Sequence, residues 1–312
     1  MAHHSFSRDF SRPLAILGLG AALAAVTPPA FAQSVTPDPT PYGGLAPFTA
    51  QAPAASDAKD APASDAKDDA SSLAEKLQNP IGDLISVPFQ SNTNFDAGPH
   101  NGVQEVLNIQ PVIPIHISPE WNVITRTILP LVWSPSFSPA PSVPFGTAPT
   151  TFSAFLSPSK PSAGGWLWGA GPVAQIPTMS SSTLGSNVWG LGPAAVIVRM
   201  DSPWVYGVLV NNVFSLGGTT GRGGTSYSVM TINPFVTYNL PGGWFVGSVP
   251  VVTANWQAPG TKWTVPVGLQ GGRLIKLWGK LPVNLVVGAY YNVVRPEFAG
   301  RWTLRTQVAF VF

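Results

Sequence analysis

The sequence predicts an all-β fold: a transmembrane antiparallel up-and-down β-barrel of about 12 strands, preceded by a disordered arm and a short helix. The final segment, 301–312, alternates apolar and polar residues and ends on Phe312. Hydrophobic residues make up 45% of the chain and charged residues 10%, yet no apolar run long enough for a helical span follows the first 32 residues. Period-two segments recur from residue 81 to residue 312, and strands that face lipid on one side and a polar lumen on the other alternate in this way.

Residues 1–32 have the three parts of a secretory signal. Arg8 and Arg12 precede the apolar run 14–26, and Ala30-Phe31-Ala32 offers a cleavage site. The chain contains no cysteine, which suits passage through an oxidising periplasm. We therefore expect export, and location in the bacterial outer membrane with lipid around the barrel.

Residues 33–70 are rich in Pro, Ala, Ser and Asp, and the fragment Ser-Asp-Ala-Lys-Asp occurs at 56–60 and again at 64–68. Such a segment buries too little apolar surface to offset its ordering entropy, so it predicts a disordered periplasmic arm. Within 71–80, Ser72 and Glu75 have capping-box spacing and Pro80 ends the helix. This helix is either a lead-in to the barrel or a plug inside its lumen.

The barrel itself is predicted to occupy residues 81–312. Period-two alternation gives twelve strands, at 81–90, 103–117, 121–133, 150–157, 166–176, 188–199, 203–214, 226–239, 243–255, 262–275, 281–293 and 301–312. Trp121 and Trp133 bracket one strand and Trp244 and Trp256 another, which predicts aromatic girdles at the two membrane interfaces. Trp168-Gly169-Ala170-Gly171-Pro172 recurs as 189–193, an internal echo that favours repeated hairpins.

The links between these strands alternate in length. One set of links is mostly short and is expected on the periplasmic side: 118–120, 158–165, 200–202, 240–242 and 276–280. The other set is mostly longer and is expected on the outer side of the membrane: 91–102, 134–149, 177–187, 215–225, 256–261 and 294–300. A barrel with both ends in the periplasm has this pattern. Prolines inside the predicted strands lack a ladder donor, so we expect bulges or strand ends at those positions.

Charge divides the chain into two halves. Residues 33–105 carry ten acidic and three basic residues, whereas 106–312 carry three acidic and eleven basic residues. Because an arginine facing lipid at mid-depth costs about 2 to 4 kcal/mol, in-strand arginines should point inward or lie near an interface. Parity gives these pore-lining candidates: Asn108, Gln110, His116, Asn122, Arg126, Arg301, Arg305 and Gln307. Such arginines either attract anions into an open lumen or solvate a plugged one.

The run of motifs resembles a known family. The chain resembles proteobacterial outer-membrane proteins named as transporters of the phenol meta-cleavage pathway. The resemblance lies in these segments, taken in order: Asn79-Pro80-Ile81, 85–90, 108–114, 121–128, 155–158 and the two Trp-Gly-x-Gly-Pro segments. Some members carry the label neuromedin U. The resemblance spans about residues 79–312 and implies a barrel with an uptake or channel role.

The expected function is therefore a channel or transporter for small solutes, including anionic or aromatic compounds. The alternative is a structural or interaction barrel with a closed lumen. An outer-membrane hydrolase is the least favoured interpretation, because His116 and Ser118 lack an orienting third group. We expect no catalytic residues, cofactor, metal or nucleic-acid partner. Phe312 is expected to engage the barrel-assembly machinery.

Overall fold

The structure is a computed structural model that describes residues 71–134, 145–181, 184–216 and 226–312. The predicted signal sequence (1–32) and arm (33–70) lie outside these ranges. Within them, no helix is both long and apolar enough to cross a membrane.

The described chain is mostly strand. A short helix, α1, covers residues 71–77, and a 3-10 turn covers Pro241–Gly243. The strand segments are β1 (Ser86–Ala97), β2 (Gly102–Ile109), β3 (Val112–His116), β4 (Trp121–Trp133), β5 (Phe145–Thr147), β6 (Thr150–Pro158), β7 (Trp166–Ile176), β8 (Gly190–Asp201), β9 (Trp204–Ser215), β10 (Ser228–Asn239), β11 (Trp244–Ser248), β12 (Val252–Asn255), β13 (Trp263–Leu277), β14 (Leu281–Val294) and β15 (Trp302–Val311).

The sheet closes on itself, with each strand antiparallel to its neighbours. β1 pairs with β15 from Ser86↔Val311 to Phe95↔Trp302, and β9 pairs with β10. Three positions around the circumference are each built from two segments in line: β2 with β3, β5 with β6, and β11 with β12. The described residues therefore form the predicted closed barrel of 12 strands.

The two ends of the barrel differ in their connections. One end, called here the short-turn end, holds the links 117–120, 159–165, 202–203, 240–243 and 278–280. The other, the long-loop end, holds the links between β1 and β2, β4 and β5, β7 and β8, β9 and β10, β12 and β13, and β14 and β15. The predicted alternation of inner and outer links is present, although the link between β1 and β2 is short.

That short link corrects the predicted first strand, which is Ser86–Ala97 and not 81–90. The polar run Ser91-Asn92-Thr93-Asn94 reads as a loop in the sequence. In the barrel, Asn92 and Asn94 line the interior cavity, while the hydroxyls of Ser91 and Thr93 on the outer face donate to the Glu105 carboxylate. The polar side chains have polar surroundings on both faces of the strand, so the strand continues through the polar run.

Period-two alternation sets which side chains point inward. In β14, Val286 and Tyr290 are buried inside the barrel, whereas Leu285 and Val287 are exposed on its outer wall. Large apolar side chains are exposed in the same way around the whole circumference. A contiguous apolar surface of this extent suits hydrocarbon better than water.

Aromatic rings gather in two bands on the outer wall. At the short-turn end, Trp121 contacts Trp168 and Trp204 contacts Tyr238, with ring centroids 6.0 and 4.8 Å apart. At the long-loop end the ring pairs are Trp133 with Phe145, Trp256 with Trp263, and Tyr291 with Trp302. These bands lie where aromatic girdles of a membrane barrel are found.

The in-strand prolines lie at interruptions in the strand pairing. Pro111 separates β2 from β3, Pro250 separates β11 from β12, and Pro266 lies at a register shift between β13 and β14. Pro172 and Pro193 face each other across β7 and β8, and each lies where the pairing on its other side is broken. A missing backbone donor at these places costs no regular ladder bond.

Candidate functional site: the interior cavity

The barrel encloses a cavity of about 790 Å³ whose only charged lining side chains, among the described residues, are basic. These are Lys76, Arg126 and Arg305, and the other polar lining groups are mainly Asn and Gln amides, with Ser and Thr hydroxyls and Tyr290. Apolar side chains, among them Leu209, Phe235 and Phe245, supply the rest of the wall. The cavity therefore combines positive charge and amide hydrogen-bonding groups with apolar surface.

Arg126 projects into this cavity from β4. Its Nη2 donates to Gln110 Oε1 at 2.7 Å, and Gln110 itself is 5% exposed. Gln110 is placed by the junction of β2 and β3, where its backbone N–H donates to the Pro88 carbonyl at 2.9 Å. No acidic side chain of the described residues forms an ion pair with Arg126. Within the described ranges Gln110 is the acceptor for the Arg126 guanidinium, whose other N–H donors can meet solvent or an anionic solute.

Arg305, on β15, makes more contacts than Arg126. Its Nε donates to Asn92 Oδ1 at 3.1 Å and its Nη1 to the Val249 carbonyl at 2.8 Å. The guanidinium also stacks over the Tyr290 ring, 4.7 Å from the centroid. Arg305 thus links β15 and β14 to the segment between β11 and β12.

That segment, Val249–Val251, bends into the barrel and is held there by interior side chains. The Tyr290 hydroxyl accepts a hydrogen bond from the Val249 N–H at 3.2 Å and donates to Gln270 Oε1 at 2.9 Å. Asn233 donates its Nδ2 to the Pro250 carbonyl at 2.6 Å. The Val249 N–H and the carbonyls of Val249 and Pro250 are therefore satisfied by side chains of the cavity wall.

A second inward element occupies the short-turn end of the cavity. Residues 76–84, which comprise the end of α1 and most of its link to β1, contribute seven of the cavity's lining residues. Ile81 is 3% exposed and packs in the interior apolar cluster with Ile124 and Phe155. Gln78 Nε2 donates to Asn239 Oδ1 at 2.7 Å, which fastens the segment to the end of β10.

The same segment is also tied to the rim. Asp83 Oδ1 lies 2.9 Å from His116 Nε2, and both side chains are more than half exposed. Residues 76–84 thus run from contacts with β10 through the apolar interior to contacts with β3.

The structure brings together five of the eight predicted pore-lining residues. Asn108, Gln110, Arg126, Arg305 and Gln307 line the cavity. The other three lie elsewhere: His116 is at the short-turn rim, Asn122 is buried and accepts from Ser159 Oγ at 3.3 Å, and Arg301 is at the long-loop end, with its Nε 3.8 Å from Asp96 Oδ2. The period-two pattern predicts which face of the sheet a side chain occupies, but not how far along the barrel axis it lies. These three residues lie too close to strand ends to reach the cavity.

Sequence reasoning missed Asn92, Gln270 and Tyr290, which form the network around Arg305. Asn92 was placed in a predicted loop. Tyr290 shares its inward parity with Asn284 and Val286, so the period-two pattern contained a signal for it. No sequence pattern indicates that the backbone at Val249 is its partner.

The side chains considered for hydrolysis, His116 and Ser118, lie at the short-turn end of the barrel. Ser118 Oγ donates to Glu120 Oε2 at 3.2 Å and His116 pairs with Asp83, so the two groups considered for hydrolysis have separate partners. No group of three or more His, Cys, Asp or Glu side chains in the described ranges could hold a metal ion.

Comparison with solved structures finds a similar barrel fold in an outer-membrane channel. The chain is similar to the COG4313 outer membrane channel from Pseudomonas putida F1, with a TM-score of 0.55 and 15% sequence identity over 73% of this chain and 94% of that one. Outer membrane phospholipase A from Escherichia coli matches with a TM-score of only 0.39 and 13% identity, over 77% of this chain and 97% of that one. No protein-family model matches the sequence, and no curated protein matches it. At 15% identity, the similarity to the channel shows a shared barrel fold.

Proposed function

We propose that this chain is an exported outer-membrane channel for small solutes, with a preference for anionic compounds, including aromatic ones. The observation that carries the proposal is the cavity itself, in which Arg126 presents unoccupied donors and no carboxylate lies among the described lining residues. A fixed positive charge within low-dielectric walls raises the local concentration of anions and disfavours cations.

The apolar side chains of the cavity wall support the proposed passage of aromatic solutes. Leu209, Phe235, Phe245, Val249 and Val251 all face the cavity. An aromatic carboxylate could place its ring against these side chains while its charge meets Arg126. The sequence resemblance to proteins named for the phenol meta-cleavage pathway and the similarity to the COG4313 outer membrane channel agree with a channel role. Neither assigns a function to a particular residue.

Liposome swelling tests this proposal directly. Proteoliposomes should swell faster in benzoate than in a neutral solute of similar size, and slowest in an aromatic ammonium salt of similar size. Empty liposomes correct for benzoic acid that crosses lipid unaided. Equal rates for all three solutes would remove the anion preference, and no protein-dependent swelling would remove the channel.

A closed interaction barrel is the second candidate, and one observation favours it. Residues 76–84 lie across the short-turn end of the cavity and are held at Gln78, Ile81 and Asp83. In this alternative the lumen stays sealed and the acidic arm binds a periplasmic partner. Absence of both swelling and conductance in correctly folded protein would favour it.

A further inference from the structure

The hairpin that joins β13 to β14 extends past both neighbouring strands at the short-turn end. On one side, the ladder between β11 and β13 ends at Trp244↔Arg273, and β13 continues for four more residues. On the other side, the ladder between β14 and β15 ends at Val283↔Phe310, and β14 begins two residues earlier. The residues beyond these pairs, 274–282, are called here the projecting hairpin.

Trp278 lies at the tip of the projecting hairpin and is 87% exposed, more than any other large apolar side chain of the described residues. Its φ is 51° and that of Gly279 is 69°, so both residues have a left-handed backbone conformation. Turns of this kind favour Asn, Asp or Gly at the first of these positions, because a bulky side chain there strains the backbone. Trp278 therefore gains neither burial nor turn stability, and strain of this kind is typical of functional positions.

Two lysines flank this tryptophan. Lys276 and Lys280 are exposed, and no acidic side chain of the described ranges forms an ion pair with either of them. Lys276 shares its parity in β13 with Leu274, which is buried inside the barrel, so Lys276 is on the side of the short-turn mouth and not on the lipid side. The tip thus presents an aromatic ring between two positive charges.

The depth of the tip favours a partner in the periplasm over lipid. The Arg273 guanidinium lies 4.9 Å from the centroid of the Trp244 ring, at the level of the short-turn aromatic band. Trp278 follows five residues later in the chain, about 16 Å along the strand and about 12 Å along the barrel axis at a tilt of about 40°. The headgroup layer on each side of the hydrocarbon is only about 5 to 8 Å thick. The tip therefore lies beyond the headgroups.

The sequence before α1 supplies an anionic segment of matching chemistry. Residues 56–69 contain five aspartates and two lysines, which gives a net charge of −3. Pro62 lies between Asp60 and Asp65. Proline in extended segments is commonly bound by aromatic side chains. The order acid, proline, acid therefore complements the order lysine, tryptophan, lysine in the hairpin.

The described chain begins at the same end of the barrel as this tip. Gln78 donates to Asn239 at 2.7 Å, and the turn that follows, Pro241–Gly243, contacts β13. The seven residues of α1 span only about 10 Å, whereas the fourteen residues 56–69 span up to about 46 Å when extended. Residues 56–69 are therefore long enough to reach Trp278.

We propose that the projecting hairpin is a docking site for residues 56–69 of the same chain, with the proline packed on the tryptophan and the two aspartates beside the two lysines. The docked segment lies at the short-turn mouth, where residues 76–84 enter the cavity. Docking requires no passage of solute, so the proposal is independent of the channel function. Because charge contributes to the attraction, docking should weaken near 1 M salt, where the screening length is about 3 Å.

A fluorescent label on residues 56–69 tests the docking, and the absence of native cysteine leaves one labelling site. Bimane attached at Ala63→Cys is quenched when a tryptophan contacts it, so the quenched fraction in the full chain reports the docked segment. Trp278→Phe should remove most of this quenching. Trp189→Phe is the matched control and should leave the quenching unchanged, because Trp189 is also exposed but lies at the long-loop end.

Charge reversal distinguishes specific pairing from chance contact. Lys276→Glu with Lys280→Glu, or Asp60→Lys with Asp65→Lys, should each lower the ratio of docked to undocked segment at least about twofold, the loss expected for two exposed ion pairs. Combining both reversals restores opposite charges at both positions. The combined variant should therefore recover the quenching of the parent.

Quenching that Trp278→Phe does not reduce would overturn the docking site. Failure of the combined reversal to recover quenching, in protein with the parent's heat-modifiable migration, would overturn it as well. The measurements are made in detergent and in vesicles with and without phosphatidylglycerol. Quenching that is lost only in the anionic vesicles would also contradict the proposal, because the hairpin would then bind lipid headgroups.

Discussion

Two arginines face the cavity, and their contacts give them different roles. Arg305 is engaged by Asn92, by the Val249 carbonyl and by the Tyr290 ring, so its charge helps to hold the inward bend. Arg126 has Gln110 as its hydrogen-bond partner and otherwise faces the cavity. We therefore assign the anion preference mainly to Arg126.

Replacing Arg126 with Gln should lower anion preference without closing the lumen. A unit charge about 10 Å from a passing ion is worth roughly 0.4 to 1.7 kcal/mol at effective dielectric constants of about 80 to 20. Because the charge favours the anion and disfavours the cation by this amount, the anion-to-cation permeability ratio should fall by at least about fourfold. Reversal potentials in a dilute salt gradient measure the ratio. The difference should shrink near 1 M salt, where the screening length is about 3 Å.

Arg273→Gln is the matched control for this change. Arg273 lies on the outer face of β13 over the Trp244 ring, so its loss removes the same charge from outside the lumen. An Arg126→Gln protein with the parent's permeability ratio at low salt would show that this arginine does not set selectivity.

At the residue level, period-two parity predicted the inward direction of Asn108, Gln110, Arg126, Arg305 and Gln307. It did not predict which arginine would be occupied by other groups. The partners of Arg305 come from β1, β14 and the bend after β11, and their spacing in the sequence gives no indication that they meet.

At the scale of single elements, the N-terminal segment and the last strand determine how the barrel closes. Residues 76–84 enter the short-turn end, while β15 completes the circle by pairing with β1. The sequence predicted β15 well because its alternation is regular. It misplaced β1 because a polar strand that faces a polar lumen looks like a loop.

Locking the segment 76–84 in place should reduce conductance. Gln78→Cys with Asn239→Cys replaces a hydrogen-bonded pair that fastens it to β10, and a bifunctional thiol reagent would keep it there. Ser226→Cys with Gln257→Cys is the control, because that hydrogen-bonded pair lies at the long-loop end. Single-channel recording before and after linking should show fewer openings only in the first pair.

Releasing the same segment should have the opposite effect. Ile81→Asn places a polar amide in the apolar cluster with Ile124 and Phe155, which destabilises the bound position by about 2 to 5 kcal/mol, comparable to losing a buried aliphatic side chain. Open probability should then rise. If neither linking nor Ile81→Asn alters the recordings, residues 76–84 do not gate the lumen.

Deleting Phe312 should impair assembly more than secretion. The Phe312 N–H donates to the Ile85 carbonyl at 2.9 Å while its side chain remains largely exposed, available for recognition before closure. The measurement is heat-modifiable protein in the outer-membrane fraction, with Phe312→Tyr as the aromatic control. Wild-type amounts of folded protein after the deletion would show that Phe312 has no role in assembly.

At the scale of the whole molecule, the outer and inner faces of the barrel wall differ in chemistry. Its outer face is apolar between two aromatic bands, and its inner face combines amides, basic groups and apolar side chains. Strand number and link alternation could be predicted because both follow from local periodicity. The inward bend and the interior path of 76–84 could not, because each depends on side chains that are distant in sequence.

The central claim is that this barrel conducts anions through its lumen, and reversal-potential measurement on purified protein in planar bilayers tests it most directly. With a dilute and a concentrated KCl solution on the two sides, we predict stepwise conductance whose reversal potential lies toward that of chloride. Absence of conductance steps from protein with heat-modifiable migration, or a reversal potential toward that of potassium, would contradict the account.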